Sequence, residues 1–235
     1  MIGELEKRLT QFAMEHANGR SDALSRALSS VLHPPVFRAL VGEVIGREDF
    51  FGEVLARSLW HPNGFAKIVL LTAPEFRLRL HAWRTDDAAS AADAENIHNH
   101  RWDFTAAILA GGYRHQEFQV SEQGQSFFGY RYRSADDQSS YSLVPLGRRT
   151  LKCVFDAHLT QGTRYTMSST VLHRVRPDPA QAAISLVLEG PHLPAAVEVF
   201  AEVETEKGTD TPFVRLSPDA LLHHLRTVSA LPAFG

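Results

Sequence analysis

Phe76-Arg77-Leu78-Arg79-Leu80-His81-Ala82-Trp83 alternates apolar and polar residues, and after a polar loop it is followed by Ile97-His98-Asn99-His100. Alternation at period two marks a β-strand with two unlike faces. Leu78 and Leu80 define one face as core, while Arg77, Arg79, His81 and Trp83 share the other, which is expected to be a solvated stripe or the surface of a second sheet. In an extended His98-Asn99-His100 both imidazoles point to the same side. Working outward, strand-like runs occupy 66–73, 105–111, 113–120, 126–133, 141–146, 150–155, 163–168, 170–176 and 182–189, separated by turn residues. About ten short strands in succession predict a sandwich or barrel.

The flanks change period. Apolar residues recur at three and four in 4–17 and 22–32, with Ser21 and Asp22 placed to cap the second helix; His33-Pro34-Pro35 breaks the chain, and 47–60 predicts one more helix before His61-Pro62-Asn63-Gly64. At the other end Ser217-Pro218-Asp219 reads as a helix start and 220–231 carries an apolar stripe. The expected layout is a helical segment over 1–60 packed on a β-barrel over 61–205, then an extension with a helix over 206–235, forming one domain.

Composition narrows the function. Hydrophobic residues at 44% and charged residues at 22% of 235 suit a packed globular core, and a formal charge of −3 gives no basic field for nucleic acid. The amino-terminal residues carry no apolar leader core and no run of ~18 apolar residues occurs, so a cytoplasmic protein without a membrane span is expected. A small molecule is the expected ligand. The one cysteine, Cys153, excludes an intramolecular disulfide or a thiolate cluster and is expected to pack as a small apolar residue.

Twelve histidines make a chance His-x-His common, so context decides. His98 and His100 follow an alternating strand, and His173 lies on a later one, in Thr170-Val171-Leu172-His173-Arg174-Val175-Arg176. Three imidazoles suit iron, zinc, copper or nickel better than magnesium or calcium. The expected cofactor is one divalent metal, with Fe(II), Zn, Ni or Mn open at this point.

These residues resemble the cupin superfamily (RmlC-like), whose first motif is His-x-His followed by a glutamate and a glycine and whose second supplies another histidine. Gly111 and His173 fit; where the glutamate would stand the chain has Phe104 and Thr105, with Asp103 one step early. The missing glutamate makes the site resemble the three-histidine, cysteine dioxygenase (thiol dioxygenase) branch, as do Leu172-His173-Arg174-Val175 and Ala183-Ile184-Ser185-Leu186. The likeness covers most of 60–192. It implies a cupin double-stranded β-helix (jelly-roll) barrel, mainly β, with N-terminal helices and a C-terminal helix. It also implies His98, His100 and His173 around ferrous iron, with a small-molecule substrate and dioxygen. Thr105 replaces the family's crosslinked cysteine. The family's Ser-His-Tyr relay falls on Ser185, Val187 and Glu189, and its carboxylate-binding arginine falls near Lys67. Lys67 and Thr105 are thus expected as substrate-binding residues and Ser185 and Glu189 as catalytic ones. A redox-silent isomerase or lyase, or a metabolite-binding protein without catalysis, are the alternatives.

Several residues carry a second reading. Glu189 ends an apolar strand; if it faces the cavity, burial would raise its pKa and make it a candidate base, with a structural ion pair as the equal alternative. Asp103 is a candidate fourth ligand or acid-base group, with a turn cap or ion-pair partner as the plainer reading. His115 and Glu117 share a strand face and could line the cavity mouth; Tyr130, Tyr132 and Tyr165 could offer hydroxyls inside the barrel. His223-His224 reads as an exposed dipeptide on a helix rather than a ligand pair. Unpaired barrel edges predict a homodimer.

Overall fold

The computed structural model describes residues 2–83, 96–135, 139–204 and 210–232. The polar loop after Trp83 and the expected 205/206 boundary lie outside the described residues. Helices α1 (Ile2–Ala17), α2 (Ala23–Val31), α3 (Pro34–Gly46) and α4 (Glu48–Ala56) come first. Of these α3 is unexpected, since Pro34 and Pro35 open a helix where the sequence suggests only a break. A proline in the first turn lacks only an N–H that would have no helical partner. Asp22 stands at the N-cap of α2 but makes no side-chain cap bond, whereas Ser217 accepts from the Ala220 amide to start α5 (Pro218–Ser229).

The strands are β1 (Leu59–His61), β2 (Phe65–Ala73), β3 (Phe76–Trp83), β4 (Ile97–His98), β5 (Phe104–Ala110), β6 (Gly112–Ser134), β7 (Ser140–Thr160), β8 (Arg164–Met167), β9 (Leu172–Pro177), β10 (Ala183–Glu189), β11 (Val197–Ala201), β12 (Thr211–Pro212) and β13 (Val214–Arg215). Four of the expected short strands are thus two long ones, β6 and β7. Val120 and Gln125 both face Leu151, so β6 bulges and continues. Gly124 makes this possible: its φ is +151°, and a Cβ there would collide with the Leu151 carbonyl oxygen.

One sheet runs β13-β1-β2-β3-β10-β5-β8 and the other β11-β4-β9-β6-β7-β12, with every pairing antiparallel. Within these, β3-β10-β5-β8 faces β4-β9-β6-β7, the strand order of an eight-stranded jelly roll with two Greek keys. The protein is therefore mainly β, a double-stranded β-helix with helices added at both ends.

The alternation in β3 is observed and Leu78 and Leu80 are core as expected, but that core lies outside the barrel and the opposite face is not a solvated stripe. Leu78 and Leu80 point out of the barrel and join Ile68, Leu70, Leu186 and Leu188 under the helices, against Leu9, Leu24, Leu28, Phe37, Leu40 and Leu225. Each buried leucine contributes roughly 1.5–3 kcal/mol, so this helix-to-sheet layer is a large part of the core. With the leucines outside, Arg79, His81 and Trp83 point into the barrel, where a cavity opens. Two smaller expectations fail as well. His224 is buried against Trp60, its ring 5.8 Å away, because it falls on the helix face that docks, while His223 is exposed. Cys153 is exposed on β7, its thiol directed to the Phe155 carbonyl at 3.2 Å.

Candidate metal centre

β4 pairs with β9 so that His98 stands directly opposite His173, and His100 lies two residues beyond His98. The three rings lie 4.7–5.1 Å apart, centre to centre. One nitrogen from each falls within 4.8 Å of the other two. Backbone partners hold the group in place: the His98 Nδ1–H donates to the Asn96 carbonyl at 2.8 Å, and the His100 amide donates to the Ser169 carbonyl at 3.0 Å. A carbonyl only accepts, so His98 carries its proton on Nδ1 and its lone pair on Nε2. Nε2 of His100 and Nε2 of His173 are 2.9 Å apart. Two such nitrogens share either a proton or a cation.

Burial pushes both His100 and His173 well below the ordinary histidine value, and the neighbouring imidazoles push further. They are neutral at pH 7. Neutral, desolvated imidazoles with converging lone pairs are the donor set a divalent metal requires. The other nitrogen of His173, Nδ1, points away from the one that meets His100 and is buried with no hydrogen-bond partner among the described residues.

The group forms one wall of a cavity of about 190 Å³. For scale, an apolar cavity of ~150 Å³ admits a benzene-sized molecule. Its aromatic lining includes Phe65, Trp83, Trp102, Phe104, Tyr113 and Tyr165, and none of the described lining residues is Asp or Glu. Tyr113 and Tyr165 bring their hydroxyls to 3.0 Å.

Not all of the expected site residues reach this cavity. Lys67 and Ser185 line it. Lys67 has its pKa lowered to about 8, first by burial and then by Arg79, with Glu189 opposing. Glu189 is fully buried and forms an ion pair with Arg79. Burial pushes it up, but Arg79 first, then His192, Lys67 and Arg77, outweigh this and hold its carboxyl below the usual glutamate value. It is an ionised counter-charge, the ion-pair alternative rather than the raised-pKa base. Thr105 is a correction: it opposes Leu188 on the face of β5 turned from the cavity and donates to the Tyr165 carbonyl at 3.2 Å. Phe104 takes the cavity position, because side chains alternate along β5.

Asp103 is not among the three grouped residues. One of its oxygens accepts from the Ser169 amide at 2.7 Å and the other pairs with His16 at 3.0 Å, which ties α1 to the loop before β5. His115 is buried behind the site, its ring 5.5 Å from that of His173 and its Nε2 3.3 Å from Glu117. Of the tyrosines, Tyr132 and Tyr165 line the cavity and Tyr130 packs in the core. Arg79 and His81, a mere polar stripe in the sequence, are cavity residues, and His61 and Tyr113 join them without having been expected. The available signal was the shared period-two face of Arg79, His81 and Trp83.

No family model matches the sequence, and no curated protein matches it. Solved structures do align. A hydroquinone 1,2-dioxygenase, PnpCD, in complex with Cd2+ and 4-hydroxybenzonitrile is 14% identical with a TM-score of 0.34, covering 59% of this chain and 69% of that one. The polyketide cyclase RemF from Streptomyces resistomycificus is 12% identical with a TM-score of 0.37, covering 64% and 82%. A double-stranded β-helix protein from Klebsiella pneumoniae is 11% identical with a TM-score of 0.33, covering 61% and 89%. At such scores the fold assignment rests on the strand order. Among the described residues no helix is long and apolar enough to cross a membrane.

Proposed function

We propose that this protein is a metal-dependent enzyme, a three-histidine non-haem iron oxygenase of the thiol dioxygenase kind, acting on a small anionic molecule. The observation that carries the reading is the convergence of His98, His100 and His173, without a carboxylate, on a cavity sized for a small ligand. Bound by these residues, ferrous iron would supply redox chemistry and open positions for a substrate donor and dioxygen. Lys67, within the cavity wall, attracts the substrate's anionic group, and its lowered pKa makes it sensitive to what binds. Ser185 offers a hydroxyl to the substrate from β10, opposite His81. Glu189 acts as a positioning residue by fixing Arg79, whose guanidinium lies 5.5 Å from the Trp102 ring centre. The aromatic walls exclude water and orient the ligand. A homodimer through the edge strand β13, where Val214 is exposed, belongs to the same proposal, and light scattering tests it.

A redox-silent isomerase or lyase is the second reading. It is favoured by the Tyr113–Tyr165 hydroxyl pair and by His81, whose Nε2 is buried without a partner among the described residues, since these could carry protons. Oxygen uptake by ferrous-loaded protein with a panel of small thiols and amino thiols separates the two. Thiol-dependent uptake supports the oxygenase; none, with substrate turnover on zinc, replaces it.

A further inference from the structure

Aromatic side chains from β2, β3, β5, β6 and β8 line the metal cavity in one connected series. Phe65 packs 5.0 Å from Trp83, centre to centre and tilted by 49°, and Trp83 lies 5.5 Å from Tyr113 at 57°. Tyr113 meets Tyr165 through their hydroxyls, and Tyr165 stands 6.1 Å from Phe104. Phe104 in turn meets the His100 ring edge-on at 5.1 Å. The series therefore runs from Phe65 to one of the three grouped histidines. Phe65, Trp83 and Tyr113 are buried in one cluster with Ile108, Val175 and Ala183, and that packing fixes the rings before a ligand arrives.

Such a wall selects by shape and by ring electrostatics. Tilted rings present faces and edges together, and a ligand ring gains from both, by offset or edge-to-face contact, what a saturated ring of the same size does not. The cavity, about 190 Å³, has the scale of a single substituted ring. None of the described lining residues is Asp or Glu, so the ammonium group of an amino thiol would lose its water there and gain no carboxylate. Trp83 adds a polar anchor: its indole N–H is buried with no hydrogen-bond partner among the described residues, and an acceptor atom on a ligand would satisfy it. His81 shares the strand face of Trp83, its ring 5.8 Å away, and its Nε2 is buried in the same condition.

We propose that the substrate is a single-ring aromatic phenol or thiophenol, its ring held against Phe65, Trp83 and Tyr113 and its acidic hydroxyl or thiol turned to His98, His100 and His173. The place of the acidic group rests on the metal-dependent reading above; the ring-binding wall does not. The test is isothermal titration of metal-free full-length protein with phenol and with cyclohexanol, which are matched in size and uncharged at pH 7. Phenol should bind saturably and about fivefold tighter or more. Phe65→Leu and, separately, Trp83→Leu keep the wall apolar and should each reduce that preference to about twofold or less, with unchanged circular dichroism as the fold control. Phe65→Leu keeps the test open if the larger void left by Trp83→Leu unfolds the protein. On zinc-loaded protein thiophenol should gain about tenfold over its metal-free affinity, and thioanisole, which has no thiol proton to lose, should not. Cyclohexanol binding as tightly as phenol, a preference that both variants retain, or zinc strengthening thioanisole as much as thiophenol would each overturn the assignment. Thiol-dependent oxygen uptake without a ring preference would overturn it while leaving the oxygenase reading in place, whereas a ring preference in protein that takes up no metal would overturn that reading and leave the wall.

Discussion

Replacing Glu189 by glutamine removes the counter-charge of a buried guanidinium while keeping the shape of the side chain. Arg79 and Glu189 are 7% and 0% exposed as side chains, so water cannot take the place of the lost charge. Arg77 and Lys67 also draw on this carboxylate, so three cations lose their compensation together. Breaking a buried pair from one side costs about 3–5 kcal/mol, and the retained amide oxygen argues for the lower end, about 3. In a chain of this size ~1 kcal/mol moves Tm by about 2–4 °C, so a fall of roughly 6–12 °C is expected. Thermal unfolding of the metal-free protein at pH 7 measures it. The pH dependence supplies a second check with a definite sign. Glu189 has a folded pKa below its ordinary 4.5, so its contribution is fully present above that value and is lost as pH falls through the folded pKa. The gap between wild type and variant should therefore close below about pH 4.5. A change in Tm under about 2 °C at pH 7, or a gap that persists undiminished in acid, would refute the reasoning.

Other perturbations test the same geometry. Lys67→Met should raise Tm at pH 7 by a few degrees, because burial disfavours the ammonium in the folded state; that gain should fade as pH rises from about 8 toward the ordinary 10.5, since the folded wild-type lysine is then neutral already. A variant less stable than wild type at pH 7 would show that Lys67 is well solvated or paired. Gly111→Ala should be severely destabilising: its φ of +65° alone costs an L-residue about 1–2 kcal/mol, and the new Cβ would collide with the Ala182 carbonyl oxygen. Soluble, cooperatively unfolding protein with near-native Tm would contradict that backbone. His16→Ala should lower Tm by a few degrees through loss of the Asp103 contact between α1 and the loop before β5, without altering metal content.

Much of the candidate site is legible in the sequence because strand alternation fixes which residues share a face. His98 and His100 pair from their spacing together with the alternating strand before them, and His173 joins them once a later strand is recognised. Alternation does not say which face is inside. Leu78 and Leu80 read as core and are core, but α1–α5 make that core an outer apolar layer, which leaves the Arg79–His81–Trp83 face to the cavity. Thr105 enters the expected site through the family resemblance, and the alternation along β5 gives the cavity position to Phe104 instead. The strand count fails at β6 and β7 because a bulge interrupts the pattern without ending the strand. Pro34-Pro35 suggests a break because proline both starts and stops helices, and only the apolar periodicity of the next dozen residues distinguishes the two. Phe65, Trp83 and Tyr113 converge through sheet order from three separate strands, which no local pattern records.

The central claim is that His98, His100 and His173 hold one metal ion. Elemental analysis of protein purified without added metal, compared with the His98→Ala, His100→Ala double variant, tests it most directly. Close to one divalent metal per wild-type chain, iron foremost, is predicted, with nearly all of it lost in the variant and the metal-free Tm changed by only a few degrees. Wild-type protein without stoichiometric metal even after anaerobic loading, or a variant that retains its metal, would contradict the claim.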